Sequence, residues 1–420
     1  MKRWGILWSL GLCLVLVATN RYEGPPTSEN FVPGDSYSYL TLALSAPGLP
    51  QETLHFHHSQ RIAIPYLLGL LHLAVPIPIH GLFQLAVVVI ALATLLIVAG
   101  LLEALSLHRR QAALVLAVLA LNPWAFRPYF TFPEMVNDLG FVLGLSVMLR
   151  GLVLGKGAEV LLGQIVASLS RQTGLLLVPV AAVWLWRDRE TWGPTRASRR
   201  MVLGLAAGAL AGGIYLGTAR LAAGFSLPNE NAEHLLGMAH WLTTQFNALV
   251  LADFLLRALM PTLIPVALLL GIGADKTRSG RGSNAVPMLL FASLCIWAQP
   301  MLGGPDMIGG TVIRLVAIGL LPLCLALAIR LRDAGAFAER NSRWHLAWVG
   351  VLVALASLHH WYVFTSAPSI WHKGLFATAY VLAVAGCFVA TGLDARDRRG
   401  SADNTIGAAW TPSSPRSPVS

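Results

Sequence analysis

Charged residues are scarce in this chain: 12% of 420 residues, against roughly a quarter in a soluble globular domain. Acids are scarcer than bases, 20 against 30, which leaves a net charge of +10 and a pI near 9.9. There are four cysteines, Cys13, Cys295, Cys324 and Cys387, and all lie inside apolar runs. They read as small buried hydrophobes, which excludes a disulfide framework or a thiolate metal site and leaves the redox compartment open. The sequence has no internal repeat, P-loop, dinucleotide fingerprint or HExxH pair, so it carries none of those signatures of nucleotide or zinc chemistry. The alternating ten-residue pattern of a membrane β-barrel is also missing.

Long apolar runs are abundant. Hydrophobic residues make up 55% of the chain and mean hydropathy is +0.64. Runs of about 20 apolar residues, each able to cross a hydrocarbon core of about 30 Å, recur along its length. The expected fold is therefore all-α: a polytopic transmembrane bundle. In such a protein the placement of the bases matters more than their sum, and the net charge does not call for nucleic acid.

Apolar segments fall near residues 4–19, 62–76, 79–104, 111–126, 138–155, 157–168, 173–187, 201–222, 244–273, 285–302, 311–331, 344–363 and 370–393. The second is short and interrupted by Pro65, Pro76 and Pro78, and if it crossed, "LHRRQ" would share a side with the acidic loop around Asp35. It is read as an interfacial helix. About twelve spans remain, and they place Lys2, Arg3, Arg109, Arg110, Arg150, Lys156, "RDRETWGPTRASRR", "DKTRSGR", "RLRDAGAFAERNSR" and "DARDRR" on one side. By the positive-inside rule that side is cytoplasmic and holds both termini. The N-terminal segment reads as a signal-anchor rather than a cleaved signal. Residues 1–399 form the transmembrane domain, with 20–78 as its first exterior loop, and the Ser/Pro-rich 400–420 reads as a disordered cytoplasmic tail.

This orientation gathers the remaining polar residues outside. The first loop carries Asp35, Tyr37, Tyr39, "HFHH" (55–58) and Arg61, and "RPYFTFPEMVND" carries Arg127, Glu134 and Asp138. "SLSRQTG" carries Arg171 at a break in an apolar stretch, and Arg314 heads a later span. Between them fall Asn229, Glu230, Asn231, Glu233, His234 and Asp306. Ionisable groups at membrane depth are costly, so they pair or face a polar cavity. Each also has a simpler reading. Asp35 suits an N-cap, Glu134 after Pro133 suits a helix dipole, and Arg171 and Arg314 suit snorkelling. Glu134 and Asp138, four apart, suit a shared metal only weakly, and "HFHH" lacks zinc-ligand spacing. No metal or other cofactor is expected.

In chain order, "GDSYSYLTLA", "RIAIPYLLG", "LNPWAFRPYFTFPEMVNDLG" and "ASLSRQTGLLLVP" resemble the GT-C superfamily of membrane glycosyltransferases. The style is closest to the bacterial mannosyltransferase and aminoarabinose-transferase relatives. The likeness covers roughly the first 190 residues and lies in the order of short motifs; beyond it, only the span count and Arg314 agree. It implies a sugar moved from a polyprenyl-phosphate donor to a hydroxyl on a lipid, glycan or protein, at the exterior face of the inner membrane. Asp35 would be the general base, with Glu134 or Asp138 as the second-loop acid. Tyr39, Arg61, Arg127, Arg171 and Arg314 would bind substrate, with Arg61, Arg171 and Arg314 holding its phosphate. A lipid or solute transporter, or a non-enzymatic subunit of envelope assembly, would use the same charges as a pathway or as caps.

Overall fold

The computed structural model describes residues 3–20, 22, 24, 35–187, 197–226, 236–237, 239–272, 285–302, 310–338, 342–357 and 370–409. These residues hold helices and no strand; one isolated bridge joins Leu54 to Ser226. The first ten helices are α1 (Arg3–Thr19), α2 (Ser36–Leu44), α3 (Phe56–Ser59), α4 (Ala63–Ala74), α5 (Ile79–Ala104), α6 (Arg109–Ala120), α7 (Arg127–Thr131), α8 (Val136–Leu154), α9 (Gly157–Ser170) and α10 (Leu177–Arg187). Further helices include Ala197–Ala222, Ala248–Leu259, Leu263–Ile272, Ala285–Leu302, Gly310–Ile318, Leu320–Ala334, Arg343–Ser357 and Ile370–Ala409.

Each of the 12 predicted spans contains a helix, but among the described residues only five helical stretches are long and apolar enough to cross a membrane. A sixth is reached if Val312–Ile318 and Leu320–Ala334, bent by 47°, count as one. Others are shorter: α1 has 17 residues, α9 14 and α10 11. A hydropathy window sums apolar turns together with helix, whereas helix length is set by the hydrogen-bond ladder. The α9 and α10 pair, for example, is interrupted at Arg171–Leu176. With 12 residues, α4 extends only about 18 Å at 1.5 Å per residue. It buries just Pro65 and Gly69 and leaves Leu67, Leu70, Leu71 and Leu73 exposed. The last helix runs to Ala409, well into the stretch read as a tail, where the first proline is Pro412.

The buried centre is α8, flanked by α5 and α9. It packs most extensively on α9, and the contact depends on glycine. A Cβ at Gly144 would meet the Ala167 backbone, and one at Gly163 would meet the Met148 backbone. Small residues at such a seam let two helix backbones touch. The polar side chains sort to the two ends of the bundle. One end joins the start of α5 and α8 to α2, α3 and the start of Gly310–Ile318. The other joins Leu105, Gln111, Leu331, Ala336 and Asp394: Gln111 donates to the carbonyls of Leu331 and Ala336, Arg332 to that of Leu105, and the Phe337 amide to Asp394.

Candidate functional site

Two interrupted helices and two loops bring five charged side chains together at the first of these ends. The α8–α9 glycine seam delivers the first pair. Asp138 sits in the first turn of α8, and Arg171, in extended conformation, ends α9. Gly140 leaves room for Ser170, and Gln164 pins the turn beyond Arg171 by donating to Ser168 Oγ (2.9 Å) and the Gly174 carbonyl (2.8 Å). Arg171 and Asp138 form a close ion pair, each with 1% of its side chain exposed.

The second pair comes from the first loop. Asp35 stands at the N-cap of α2, yet its side chain makes no capping bond. The capping reading is therefore corrected: the carboxylate is engaged elsewhere. Arg61 lies 3.6 Å from Asp35 Oδ2, donates to the Tyr39 hydroxyl at 2.6 Å, and donates through Nε to Gln172 Oε1 at 2.9 Å. Gln172 in turn donates to the His57 carbonyl, tying this loop to the turn that holds Arg171.

Arg314 joins the two pairs. Its guanidinium forks onto Asp35, Nη1 to Oδ1 at 3.1 Å and Nη2 to Oδ2 at 3.3 Å, while Nε lies 3.4 Å from Asp138 Oδ2. The bend after its helix is built in. A Cβ at Gly319 would strike the Trp297 indole, whose Nε1 donates to the Val316 carbonyl at 3.1 Å, and Ser293 Oγ donates to the Gly319 carbonyl at 3.0 Å. Arginine suits this role because its planar fork grips carboxylate or phosphate with two bonds.

The cluster thus holds three guanidiniums against two carboxylates, almost wholly removed from solvent. Burial alone would raise the Asp35 carboxyl, but Arg314, His58 and Arg61 outweigh it and hold the group well below the usual carboxylate range. Burial pushes His58 down to about 3, so its imidazole, 3.1 Å from Ser38 Oγ, is neutral near pH 7. Burial also pushes the Tyr39 phenol up. Among buried polar atoms, Ser36 Oγ, Gln60 Nε2, Arg171 Nε, Thr173 Oγ1 and both amide atoms of Asn137 have no protein hydrogen-bond partner.

Of the residues singled out in the sequence, Asp35, Tyr39, Arg61, Asp138, Arg171 and Arg314 meet here. Two do not. Glu134 points elsewhere, its Oε1 3.2 Å from His80 Nδ1 and accepting from the Tyr22 hydroxyl at 3.4 Å. Residues Pro133–Met135 form a 3₁₀ turn before α8 begins, and that tighter winding breaks the four-residue stacking expected of Glu134 and Asp138. Arg127 is a tie between elements: Nε donates to Ser357 Oγ at 2.8 Å, and Nη1 to Thr19 Oγ1 at 2.8 Å and Asn20 Oδ1 at 3.1 Å. Burial lowers it to about 10. Arg21, Asn229, Glu230, Asn231, Glu233, His234 and Asp306 lie outside the described residues.

Gln172, His58 and Met135, whose sulfur is 3.6 Å from Arg314 Nη1, were not foreseen as parts of the cluster. A signal existed for Gln172, the polar neighbour of Arg171 inside an apolar run. Among the described residues no group of three or more His, Cys, Asp and Glu side chains is placed to hold a metal ion. No protein-family model matches the chain and no curated protein matches it, so the likeness to the GT-C enzymes rests on the quoted motifs.

Proposed function

We propose that the chain is a membrane glycosyltransferase that moves a sugar from a polyprenyl-phosphate donor to a hydroxyl acceptor at the exterior face of the inner membrane. The observation that carries this reading is the buried meeting of Asp35 and Asp138 with Arg61, Arg171 and Arg314, which leaves one guanidinium charge in excess. A singly charged phosphodiester matches that excess, and the unpartnered polar atoms nearby suit a polar ligand. In the reaction the acceptor oxygen attacks the anomeric carbon and loses its proton to Asp35, while the bond to the phosphate oxygen breaks. The electron pair goes to the leaving phosphate, held by Arg171 and Arg314. While Arg314 forks onto Asp35 the carboxylate is a weak base. A donor phosphate that draws Arg314 away restores its basicity, so donor binding precedes proton transfer.

The topology belongs to the same proposal: about twelve spans, both termini cytoplasmic and 20–78 exterior. The sorting of Arg332, Gln111 and Asp394 to the end opposite the cluster supports it. Labelling at exposed positions checks it. Cysteine at the exposed Thr53 should react with an impermeant reagent from outside, and cysteine at the exposed Ser198 should not. The reverse pattern defeats both topology and mechanism.

The test of chemistry is donor-dependent transfer in membranes. Asp35→Asn should lower the rate by about 10²–10⁴. Lysine at Arg171 or Arg314 should impair transfer, and glutamine should impair it more. Full activity in the Asn variant would falsify the base assignment. A second reading, transport of an anionic solute, draws on the fact that Arg171 sits at a helix interruption and Arg314 on the helix before another, as ion sites in transporters do. Solute uptake without glycosyl transfer would favour it.

A further inference from the structure

A second polar group lies one residue along the chain from the arginine cluster. Met135 touches Arg314, whereas Glu134 turns to Tyr22 and His80. Glu134 is fully buried, and its Oε2 has no hydrogen-bond partner. Tyr22, which donates to this carboxyl, and Pro133, its chain neighbour, also line a slot of about 310 Å³ between the end of α1 and the start of α5.

The slot walls share one polarity gradient. From α1 into the chain beyond it the lining runs from Val17 to Asn20 and Tyr22; on α5 it runs from Val88 and Leu85 to Gln84. Both walls are apolar toward the middle of the bundle and polar toward the same end. Gln84 is exposed on a helix whose outward-facing neighbours Leu85 and Val89 are apolar. A lone amide there is costly in lipid unless it meets a polar group. Slot shape and gradient suit an amphiphile with its head at the Asn20–Tyr22–Gln84 end. Tyr22 donates to the buried Glu134 carboxyl, and in its ionised form that group places negative charge behind this end, the opposite sign to the arginine cluster.

We infer that this slot binds a membrane phospholipid with a primary-ammonium head. The ammonium is drawn by Glu134 and bonded by Tyr22 and Gln84, and one acyl chain lies along Val17, Leu85 and Val88. Glu134 acts as a positioning residue, fixing Tyr22 and His80 and supplying charge without touching the head. The inference does not depend on the transferase reading.

The experiment uses the full chain in mild detergent. It is titrated with phosphatidylethanolamine or phosphatidylcholine of identical acyl chains, and bound lipid is counted by native mass spectrometry. The two heads carry the same charge, but only ethanolamine has N–H donors. Wild type should retain one phosphatidylethanolamine about tenfold more tightly than phosphatidylcholine, a difference of about 1.4 kcal/mol. Glu134→Gln keeps the side-chain shape and removes the charge that draws both ammonium heads, so retention of both lipids should weaken. Gln84→Leu, at an exposed position, removes a hydrogen-bond partner of the N–H donors, so the preference for ethanolamine should shrink; it serves if the first variant does not fold. Equal retention of the two lipids by wild type overturns the proposal. So does unchanged retention in Glu134→Gln, an unchanged preference in Gln84→Leu, or preferential binding of anionic phosphatidylglycerol.

Discussion

The arginine cluster and the Glu134 group differ in sign and in how their charge is held. In the cluster, carboxylates are gripped by guanidinium forks, and a surplus positive charge is left over. In the Glu134 group a single buried carboxyl is held by a phenol and an imidazole. Only the Pro133–Met135 turn separates them. Adjacent positions in sequence can therefore serve opposite electrostatic tasks when the backbone changes winding between them.

The comparison can be broken most sharply at Arg171. Arg171→Met leaves Asp138 buried with only the long contact to Arg314, and loss of one member of a buried pair costs about 3–5 kcal/mol. Glu134→Gln keeps neutral hydrogen bonding and should cost about 1 kcal/mol. Denaturant titration in detergent should therefore rank the two variants in that order; equal losses would mean that the cluster is not the more tightly coupled region. Asp35→Asn belongs with the larger losses, because it strips both Arg314 and Arg61 of a partner. Its stability has to be measured beside its activity.

Acid sharpens the same contrast. The folded-state pKa of Asp35 is depressed, so its stabilisation is fully present above the unfolded value of about 3.9 and is lost as pH falls toward the folded one. Thermal stability of wild type should hold from pH 7 to about pH 5 and then decline. Asp35→Asn should lack that part of the decline, and parallel profiles would remove Asp35 as its source.

Gly319→Ala presses a methyl onto the Trp297 indole and should cost about 1–3 kcal/mol, with transfer reduced through a displaced Arg314. Arg127→Lys should have the smallest effect on activity. Three side-chain bonds to Ser357, Thr19 and Asn20 are weakened, so stability drops by about 1–2 kcal/mol while the donor KM is unchanged. A raised donor KM would return Arg127 to the binding site.

The helical class was legible because apolar length and charge spacing are local properties. So were most of the cluster residues, since a charge beside an apolar run is conspicuous wherever it lies. The partners were not legible. That Arg61 reaches Gln172, or that Arg314 reaches back 279 positions to Asp35, depends on the glycine seam and the Gly319 bend, which one-dimensional pattern does not encode. Glu134 was misplaced because a helical repeat was assumed across a 3₁₀ turn. Arg127 was misplaced because a base near membrane depth looks the same whether it meets phosphate or the hydroxyls of Thr19 and Ser357. Span count was less legible than helical class, because a hydropathy window sums apolar turns, such as the one after Arg171, with helix.

The pairing order within the cluster has a consequence for biosynthesis. Asp35 with Arg61, and Asp138 with Arg171, are each neutral, and all four residues precede Arg187. Chains emerge N-terminus first, so these pairs can close while most of the protein is still on the ribosome. The early half then carries no unmatched charge within the cluster. Arg314 arrives last and brings the surplus with it, so a nascent chain halted before residue 310 would hold a sealed, electrically silent site.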